Sequence, residues 1–244
     1  MSQSVVDGST TDSRPRAKAL DLIVAQLPVA GLRLVDVGCG EGVLVRALTR
    51  LGARVIGVEC GATMLALARG AVPMGDETYC EGVGQALPLA DASADGVIFM
   101  NSLHHVPESQ MLAALAEAAR VVVAGGWVVV NEPLPEGRFY ALTRQVEDEE
   151  AVRAAALRAV RACSQAGLRE EAEILYRNPV RMDSYAAFAA RMGNIDPQRQ
   201  ALVAAREETL RADFHRLAEP LPEGGFLFDQ PARLSLLRKG LIRP

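Results

Sequence analysis

The sequence has little of what nucleic-acid-binding or membrane-spanning proteins need. Its net charge is −4, without the clustered basic stripe that binds a phosphate backbone. The longest apolar run, residues 121–130, contains ten residues and is interrupted by two glycines, whereas a membrane span needs about 18 residues. We therefore expect neither a nucleic-acid partner nor a membrane span.

Cysteine is also scarce, with four residues in the whole chain. They form no C-x-x-C pair and have no histidine partner at zinc spacing, so neither a metal site nor a disulfide framework is indicated. Free thiols fit a reducing compartment. The first 14 residues lack the basic stretch and apolar core of a secretory signal. Together these absences predict a cytoplasmic protein.

The composition is that of a folded protein, with 50% hydrophobic and 23% charged residues. A length of 244 residues suits one large domain or a domain with a sizeable insertion. We predict a flexible N-terminus over residues 1–13, an α/β core over residues 14–135, and a C-terminal part over residues 136–244. The C-terminal part would complete the sheet and supply a helical substrate cap.

Apolar runs alternate with segments of helical periodicity in the first half of the chain. The predicted strands are 32–37, 54–58, 78–83, 96–100 and 126–131, and the predicted helices are 14–27, 43–51, 62–69 and 107–120. Strands that alternate with helices indicate a parallel sheet covered on both faces, because a parallel connection needs a crossover. This part is therefore predicted to be doubly wound.

The pattern changes after residue 135. We predict a long helix at 138–166, a strand at 173–180, helices at 184–192 and 198–217, and a last strand at 226–237 broken at Pro231. The acidic run 148–150 would be a solvated face of the long helix. With the five strands of the first half, the strands at 173–180 and 226–237 give a mostly parallel, seven-stranded sheet. The helices predicted after residue 135 would partly cap this sheet. Such caps usually determine substrate choice.

A glycine-rich turn follows the first predicted strand, where α/β sheets usually bind cofactors. Gly38, Gly40 and Gly42 have the spacing G-x-G-x-G. A dinucleotide site needs G-x-G-x-x-G, and its third glycine would stand where Val43 is. Glu41 would also place a negative charge beside a pyrophosphate. The turn suits a nucleoside with a cationic centre better, which disfavours a nicotinamide dehydrogenase.

An acidic residue, Glu59, closes the second predicted strand, 19 residues after Gly40. At that position a carboxylate can accept hydrogen bonds from both hydroxyls of a ribose. The alternative interpretation is a solvated residue at the end of a strand.

These motifs resemble those of the class I S-adenosylmethionine-dependent methyltransferases, particularly the type-11 group that acts on small molecules. Residues 35–42 (VDVGCGEG) resemble the first motif of the family and residues 58–65 (VECGATML) its ribose motif. Three further segments agree, namely residues 86–95, 103–106 and 120–127. The resemblance covers about residues 15–133 and implies the Rossmann-like methyltransferase fold.

The resemblance implies that the chain binds S-adenosylmethionine and releases S-adenosylhomocysteine. By the same resemblance, the turn from Gly38 to Gly40 would cradle the methionine part, Asp36 would orient it, Glu59 would hold the ribose and Met64 would pack on the adenine. The other cofactor contacts that it implies are Cys39, Gly42, Cys60, Val83, Gly84, Gln85 and Asn101. Val83 replaces the acidic residue of many relatives, and the Gly84 amide would reach an adenine ring nitrogen.

Two of the three histidines in the chain lie just after the fourth predicted strand. Methyl transfer is an in-line displacement that needs alignment, and a base if the acceptor is a hydroxyl or a carbon acid. His105 is the first candidate for that base and His104 the second. Alternatively, one of them caps the following helix and the other is exposed.

The methyl acceptor is expected to be a small organic molecule that is methylated on oxygen, nitrogen or carbon. The segment 101–104 (NSLH) lacks the Asn/Asp-Pro-Pro-Tyr/Phe run typical of enzymes that methylate bases or amide nitrogens. No acidic magnesium-binding set is evident, and no metal is expected. Candidate acceptor contacts in the cap, or else surface and packing residues, are Arg138, Tyr140, Arg177, Arg181 and Tyr185.

Two other functions and the oligomeric state stay open at this point. The chain would alternatively be a catalytically silent partner subunit that binds S-adenosylmethionine, or a methyltransferase for tRNA or rRNA. It would be a monomer or a homodimer.

Overall fold

A computed structural model describes residues 12–193 and 197–241 of the chain. The helices are α1 (Ala19–Gln26), α2 (Val43–Arg50), α3 (Ala62–Gly70), α4 (Met111–Val121), α5 (Gly137–Thr143), α6 (Glu150–Arg161), α7 (Tyr185–Gly193), α8 (Pro197–Ala205) and α9 (Glu207–Leu217). The strands are β1 (Arg33–Val37), β2 (Arg54–Glu59), β3 (Thr78–Glu81), β4 (Ala94–Met100), β5 (Val122–Pro133), β6 (Leu168–Met182), β7 (Glu219–Pro220) and β8 (Phe226–Lys239). Except for its last two residues, the predicted flexible N-terminus lies outside the described residues.

The strands form one sheet in the order β3-β2-β1-β4-β5-β8-β6, and the two-residue β7 pairs with β8. The first five strands of this order are parallel, and β8 runs antiparallel to both β5 and β6. The predicted doubly wound, mostly parallel sheet of seven strands is confirmed, with β7 as an addition. The chain reverses its winding direction between β1 and β4, and ligands bind at such a point outside the carboxyl ends of the strands.

Two apolar cores cover the two faces of the sheet. Because side chains alternate along a strand, Val35 and Val37 of β1 pack toward α4 and α6, while Leu34 packs toward α1 and α2. Both faces are therefore buried, which explains the nearly continuous apolar runs of the central strands.

The predicted long helix at 138–166 is wrong, because the chain forms two helices, α5 and α6, with a break between them. Asp148 Oδ1 accepts hydrogen bonds at the break from the Tyr140 hydroxyl (2.5 Å) and the Glu150 amide (3.1 Å). A short acidic side chain that takes a nearby amide favours a turn over a continuing helix. The acidic run is thus not one solvated helix face, and the predicted helix at 198–217 is likewise divided, at Arg206.

Pro231 does not break the last strand, contrary to the prediction. Its carbonyl accepts a hydrogen bond from the Leu134 amide, one residue beyond the end of β5. The Pro231 nitrogen faces this same side, where β5 has already ended, so the missing N–H leaves no ladder bond unmade.

The first predicted helix begins later than expected, at Ala19. The preceding residues instead lie along the edge strand β6, where the Arg177 amide donates to the Pro15 carbonyl (2.9 Å) and the Ala17 amide donates to the Arg177 carbonyl (3.0 Å). These bonds give the edge of β6 a partner and protect it from pairing with other chains.

A third apolar cluster joins α5, α7 and α9 to the ends of β6 and β8. Its largest fully buried side chains are Phe188, Phe214 and Phe228. This cluster places α5, α7 and α9 over the carboxyl end of the sheet. None of the helices in the described ranges has both the length and the apolar character that a membrane crossing requires.

Candidate active site

A cavity of about 730 Å³ lies outside the carboxyl ends of β1, β2 and β4. The loops that follow these strands form one half of its wall, and α5, α7 and the segments around α6 and α8 form the other half. Ten of the predicted site residues line it, namely Gly38, Gly40, Glu59, Cys60, Met64, Val83, Gly84, Gln85, Asn101 and His105.

The glycine turn depends on backbone conformations that other residues rarely adopt. Gly38 has φ +70° and Gly40 has φ +54°. A Cβ on Gly38 would lie 2.6 Å from Ser102 Cβ, whereas a Cβ on Gly40 would point into open space. Only glycine fits at position 38, and Gly40 leaves room for a ligand to approach the backbone.

Glu59 is fixed across this turn at the end of β2. Its Oε2 accepts the Gly40 amide at 2.8 Å, and its Oε1 accepts the Gly61 amide at 2.7 Å. The residue is 9% exposed and lines the cavity. Each carboxylate oxygen keeps further acceptor capacity, so the side chain is held in place while it can still receive hydroxyl donors.

Asp36 lies beneath the turn, with 1% of its surface exposed. Its Oδ1 has no hydrogen-bond partner, and burial, with a smaller contribution from the charge of Glu59, raises the pKa of this carboxyl to about 7. The side chain borders a smaller cavity of about 290 Å³ that also touches Gly38 and Cys39. A buried acceptor without a partner suits a ligand that brings a donor or a positive charge.

Four predicted site residues lie outside the wall of the main cavity. Asp36 and Cys39 border the smaller cavity, because alternation along β1 turns Asp36 to the opposite face from Val37. Gly42 caps α2 at φ +79°, close to the Tyr79 side chain. The fourth, His104, borders a second cavity of about 380 Å³. Motif spacing alone does not separate these positions from those that face the ligand.

His104 is held between two carboxylates. Its Nδ1 is hydrogen-bonded to Glu132 of β5, and its Nε2 lies 3.6 Å from Glu149 Oε1. Burial alone would lower the pKa of His104, but the hydrogen bond to Glu132 and the interaction with the nearby Glu149 carboxylate outweigh it and raise the pKa to about 9. His104 is therefore protonated at neutral pH, and its geometry does not suit the role of a base.

His105 has the opposite character. Its side chain is exposed and borders both cavities, and its ring centroid lies 4.0 Å from that of His104. Desolvation and the positive charge of His104 both lower the pKa of His105. The ring is therefore neutral at pH 7, with a nitrogen that can accept a proton.

A chain of hydrogen bonds supports the loop that carries both histidines. The Tyr176 hydroxyl donates to Asn131 Oδ1 (2.6 Å), and Asn131 Nδ2 donates to Asn101 Oδ1 (2.9 Å). The Ser102 hydroxyl donates to the Val37 carbonyl (2.5 Å). Asn131, Glu132 and Tyr176 were missed in the sequence, because no motif connects β5 and β6 to this loop.

The two histidines also form a compact cluster with Glu149. Each of the three side chains offers one ligand atom, and these atoms lie within 4.8 Å of one another. Such a group has the donor set of a transition-metal site. However, His104 is already bonded to two carboxylates, and Glu149 pairs with Arg153 at 2.5 Å. The expectation that the chain uses no metal stays a prediction.

The cap half of the wall consists of residues that the sequence analysis did not select. They are Phe139, Thr143, Glu147, Glu149, Arg153, Arg191, Met192 and Arg199. None of the five predicted acceptor contacts, all of which the structure describes, lines the main cavity. Instead Arg177 pairs with Asp229, Arg181 pairs with Glu223, and the Tyr185 hydroxyl donates to the Glu207 carbonyl.

The part of the sequence that forms most of the strands is similar to known proteins. Residues 35–130 match the family model described as a methyltransferase domain. A ubiquinone biosynthesis O-methyltransferase of Paracidovorax citrulli is 41% identical over 106 residues, which cover 41% of this chain and 43% of that protein. The chain thus matches less than half the length of this relative.

Solved structures show a similar fold over most of the chain. The YcgJ protein of Bacillus subtilis has a TM-score of 0.62 at 18% identity, with 91% of this chain and 97% of that chain covered. An S-adenosylmethionine-dependent methyltransferase of Mesorhizobium loti has a TM-score of 0.52 at 22% identity, with 90% and 96% covered. At these identities the likeness concerns the fold alone.

Proposed function

We propose that the chain is an S-adenosylmethionine-dependent methyltransferase that acts on a small organic molecule, since residues 35–130 match the model of a methyltransferase domain. The observation that carries this proposal is the position of Glu59. Its carboxylate is fixed by two backbone amides at the wall of a large cavity, directly beside a glycine turn that is open to a ligand.

The residues present fit the parts of S-adenosylmethionine. Glu59 offers acceptors for the ribose hydroxyls, and the unpartnered Asp36 Oδ1 suits the positively charged amino acid end. Met64 and Val83 are large apolar side chains on the cavity wall that are 46% and 38% exposed. Exposed apolar surface of this kind provides packing for a planar ring, which supports the expected adenine position.

When bound, S-adenosylmethionine supplies a methyl group activated by a positively charged sulfur. The chain then has to align the acceptor and, where the acceptor is a hydroxyl or a carbon acid, to remove its proton. His105 is suited to that step because it is neutral and exposed to the cavity. Glu132 and Glu149 keep the neighbouring His104 charged, which holds the pKa of His105 low.

The cap would bind the acceptor. The cavity volume of about 730 Å³ lies in the range typical of sites for small molecules, and one half of the wall remains after the cofactor-binding residues are assigned. We expect α5 and α7 to contact the acceptor and the core over residues 14–135 to hold the cofactor. This division between cofactor and acceptor sites follows the boundary that we predict between residues 135 and 136.

Calorimetric titration of the purified chain with S-adenosylmethionine, S-adenosylhomocysteine and NAD tests the proposal. We expect micromolar binding of the two sulfur nucleosides and no binding of NAD. Glu59→Ala should weaken the binding at least tenfold, because two hydrogen bonds to a charged group are lost. The matched control is Glu81→Ala, which removes an exposed acid paired in register with Glu59 at the end of β3.

Three results would contradict the proposal. They are a lack of binding of both sulfur nucleosides, an equal affinity for NAD, and an equal loss of affinity in the two variants. Tight cofactor binding without turnover on any small acceptor would instead support a silent binding subunit. Salt-dependent RNA binding would support an RNA methyltransferase. The cytoplasmic location stays a prediction, and the oligomeric state stays open.

A further inference from the structure

Three arginines line the cap half of the main cavity, and two of them have carboxylate partners there. Arg153 pairs with Glu149 at 2.5 Å, and Arg199 pairs with Glu147. The third is Arg191, in the last turn of α7. Among the described residues of this half of the wall, Arg191 is the arginine without a carboxylate partner.

Arg191 differs from the other two arginines of the cavity wall. Among the described residues its guanidinium forms no ion pair and donates no hydrogen bond, and its nearest described interaction is with the Phe139 ring, at 5.9 Å from the centroid. By contrast Arg144, Arg181 and Arg211 each pair with a nearby acid on the outer surface. Among the arginines that line the main cavity, Arg191 is the one without a carboxylate partner in the described part of the chain.

The position of Arg191 faces the space that an acceptor would occupy. The side chain borders both the main cavity and the second cavity, as do His105 and Phe139. Desolvation lowers the pKa of Arg191. The Arg191 side chain is exposed, and a guanidinium carries five N–H donors in a planar fork. Because no carboxylate in the described part of the chain pairs with it, the group is suited to bind an anionic part of a ligand.

We propose that Arg191 binds a carboxylate of the methyl acceptor, with Phe139 beside the apolar part of that molecule. A carboxylate matches the planar guanidinium fork with two parallel hydrogen bonds. The shared border of the two cavities would then place the rest of the acceptor toward His105. This inference rests on the proposed function and adds to it the chemical class of the substrate, a small organic carboxylate.

The test compares carboxylates with their uncharged amides on the full chain saturated with S-adenosylhomocysteine. The probes are 4-hydroxybenzoate and 4-hydroxybenzamide, salicylate and salicylamide, and 3-hydroxybutyrate and 3-hydroxybutyramide, with dissociation constants from ligand-observed NMR. We expect at least one carboxylate to bind about 10- to 100-fold more tightly than its amide, as the loss of a paired charge predicts. Arg191→Met should abolish the difference, and Arg191→Lys should retain part of it.

Two controls separate this inference from other causes. Arg181→Met removes a cap arginine that is paired with Glu223 outside the cavity, and it should preserve the preference for carboxylates. Calorimetry should show unchanged S-adenosylhomocysteine binding in Arg191→Met, which excludes misfolding of the variant.

The inference is wrong if no carboxylate of the set binds more tightly than its amide, or if Arg191→Met keeps the preference. A failure of the proposed function would look different, because the wild-type chain would then not bind S-adenosylhomocysteine. The carboxylate and amide comparison would in that case be made on the chain alone, and its result would still decide whether Arg191 binds anions.

Discussion

The buried carboxyl of Asp36 should make the stability of the unliganded protein fall as pH rises, and Asp36→Asn should remove that dependence. Asp36 lies in the central strand of the sheet at 1% exposure, with one oxygen unpartnered. Burial, and then the charge of Glu59, raises its pKa from 3.8 to about 7. Asparagine keeps the shape of the side chain and cannot ionise.

The sign and the size of the effect follow from the two pKa values. Because the folded-state pKa lies above the unfolded value, the folded protein holds this proton more tightly. The associated stability is fully present below pH 4 and is lost as pH rises to about 7. One pKa unit corresponds to about 1.4 kcal/mol, so the wild type should lose about 2.3 kcal/mol relative to the variant between pH 5 and pH 7, where the folded-state carboxyl is already half ionised. Above about pH 8 the difference should be nearly constant.

Urea unfolding of both proteins at pH 5, 6, 7 and 8 would measure this difference in unfolding free energy. The buried amide of asparagine changes the unfolding free energy by an amount that does not depend on pH. This contribution therefore cancels when the differences at two pH values are compared. Asp95→Asn is the matched control, because its hydrogen bond to Arg33 lowers the pKa of Asp95 and it does not titrate in this window. If the Asp36→Asn difference were as flat as that control, Asp36 would be ionised as in water and the reasoning would be refuted.

Two further predictions concern the glycine turn and the candidate base. Gly38→Ala should destabilise the protein by about 2–5 kcal/mol, from a positive φ and a 2.6 Å contact with Ser102 Cβ. Gly40→Ala, with open space, should lose only about 1 kcal/mol, and equal losses in urea unfolding would refute the steric argument. His105→Gln should lower kcat about 10²- to 10⁴-fold with unchanged S-adenosylhomocysteine affinity, while His215→Gln should have no effect. Wild-type activity should rise with pH to a plateau with a midpoint below 6.5, since the pKa of His105 is lowered, and unaltered kcat in the His105 variant would exclude it as the base.

The sequence was sufficient to predict the first half of the fold because its signals there are local. Each strand, glycine turn and helix in this part is specified by neighbouring residues, and the α/β pattern permits few arrangements. The same locality explains why Gly38, Gly40 and Glu59 are found together: they lie at the ends of two adjacent parallel strands, whose register pairs residue 36 with residue 57. For these residues the local sequence pattern was therefore sufficient to predict their proximity in the fold.

The second half was predicted less well because tertiary contacts override its local patterns. The helical periodicity between residues 138 and 166 is continuous, yet Asp148 captures the Glu150 amide and the chain turns. From the sequence alone, Pro231 is expected to break a strand. In the structure it lies beside the point where the neighbouring strand β5 has already ended, so β8 continues through it. The spacing of residues in the sequence predicts neither the break between α5 and α6 nor the continuous β8, since both depend on contacts with other parts of the chain.

The acceptor site is the clearest case of this limit, and it also explains why two adjacent histidines have different properties. His104 and His105 are neighbours in the sequence and were both candidates for the base, but the partners supplied by β5 and by the segment before α6 give them different properties. Glu132 and Glu149 take one histidine out of use as a base and keep it charged. That charge lowers the pKa of the other histidine, which faces the cavity. Because Glu149 and Arg191 both come from the cap, we expect a rearrangement of the cap to affect both the proposed base and the proposed acceptor pocket.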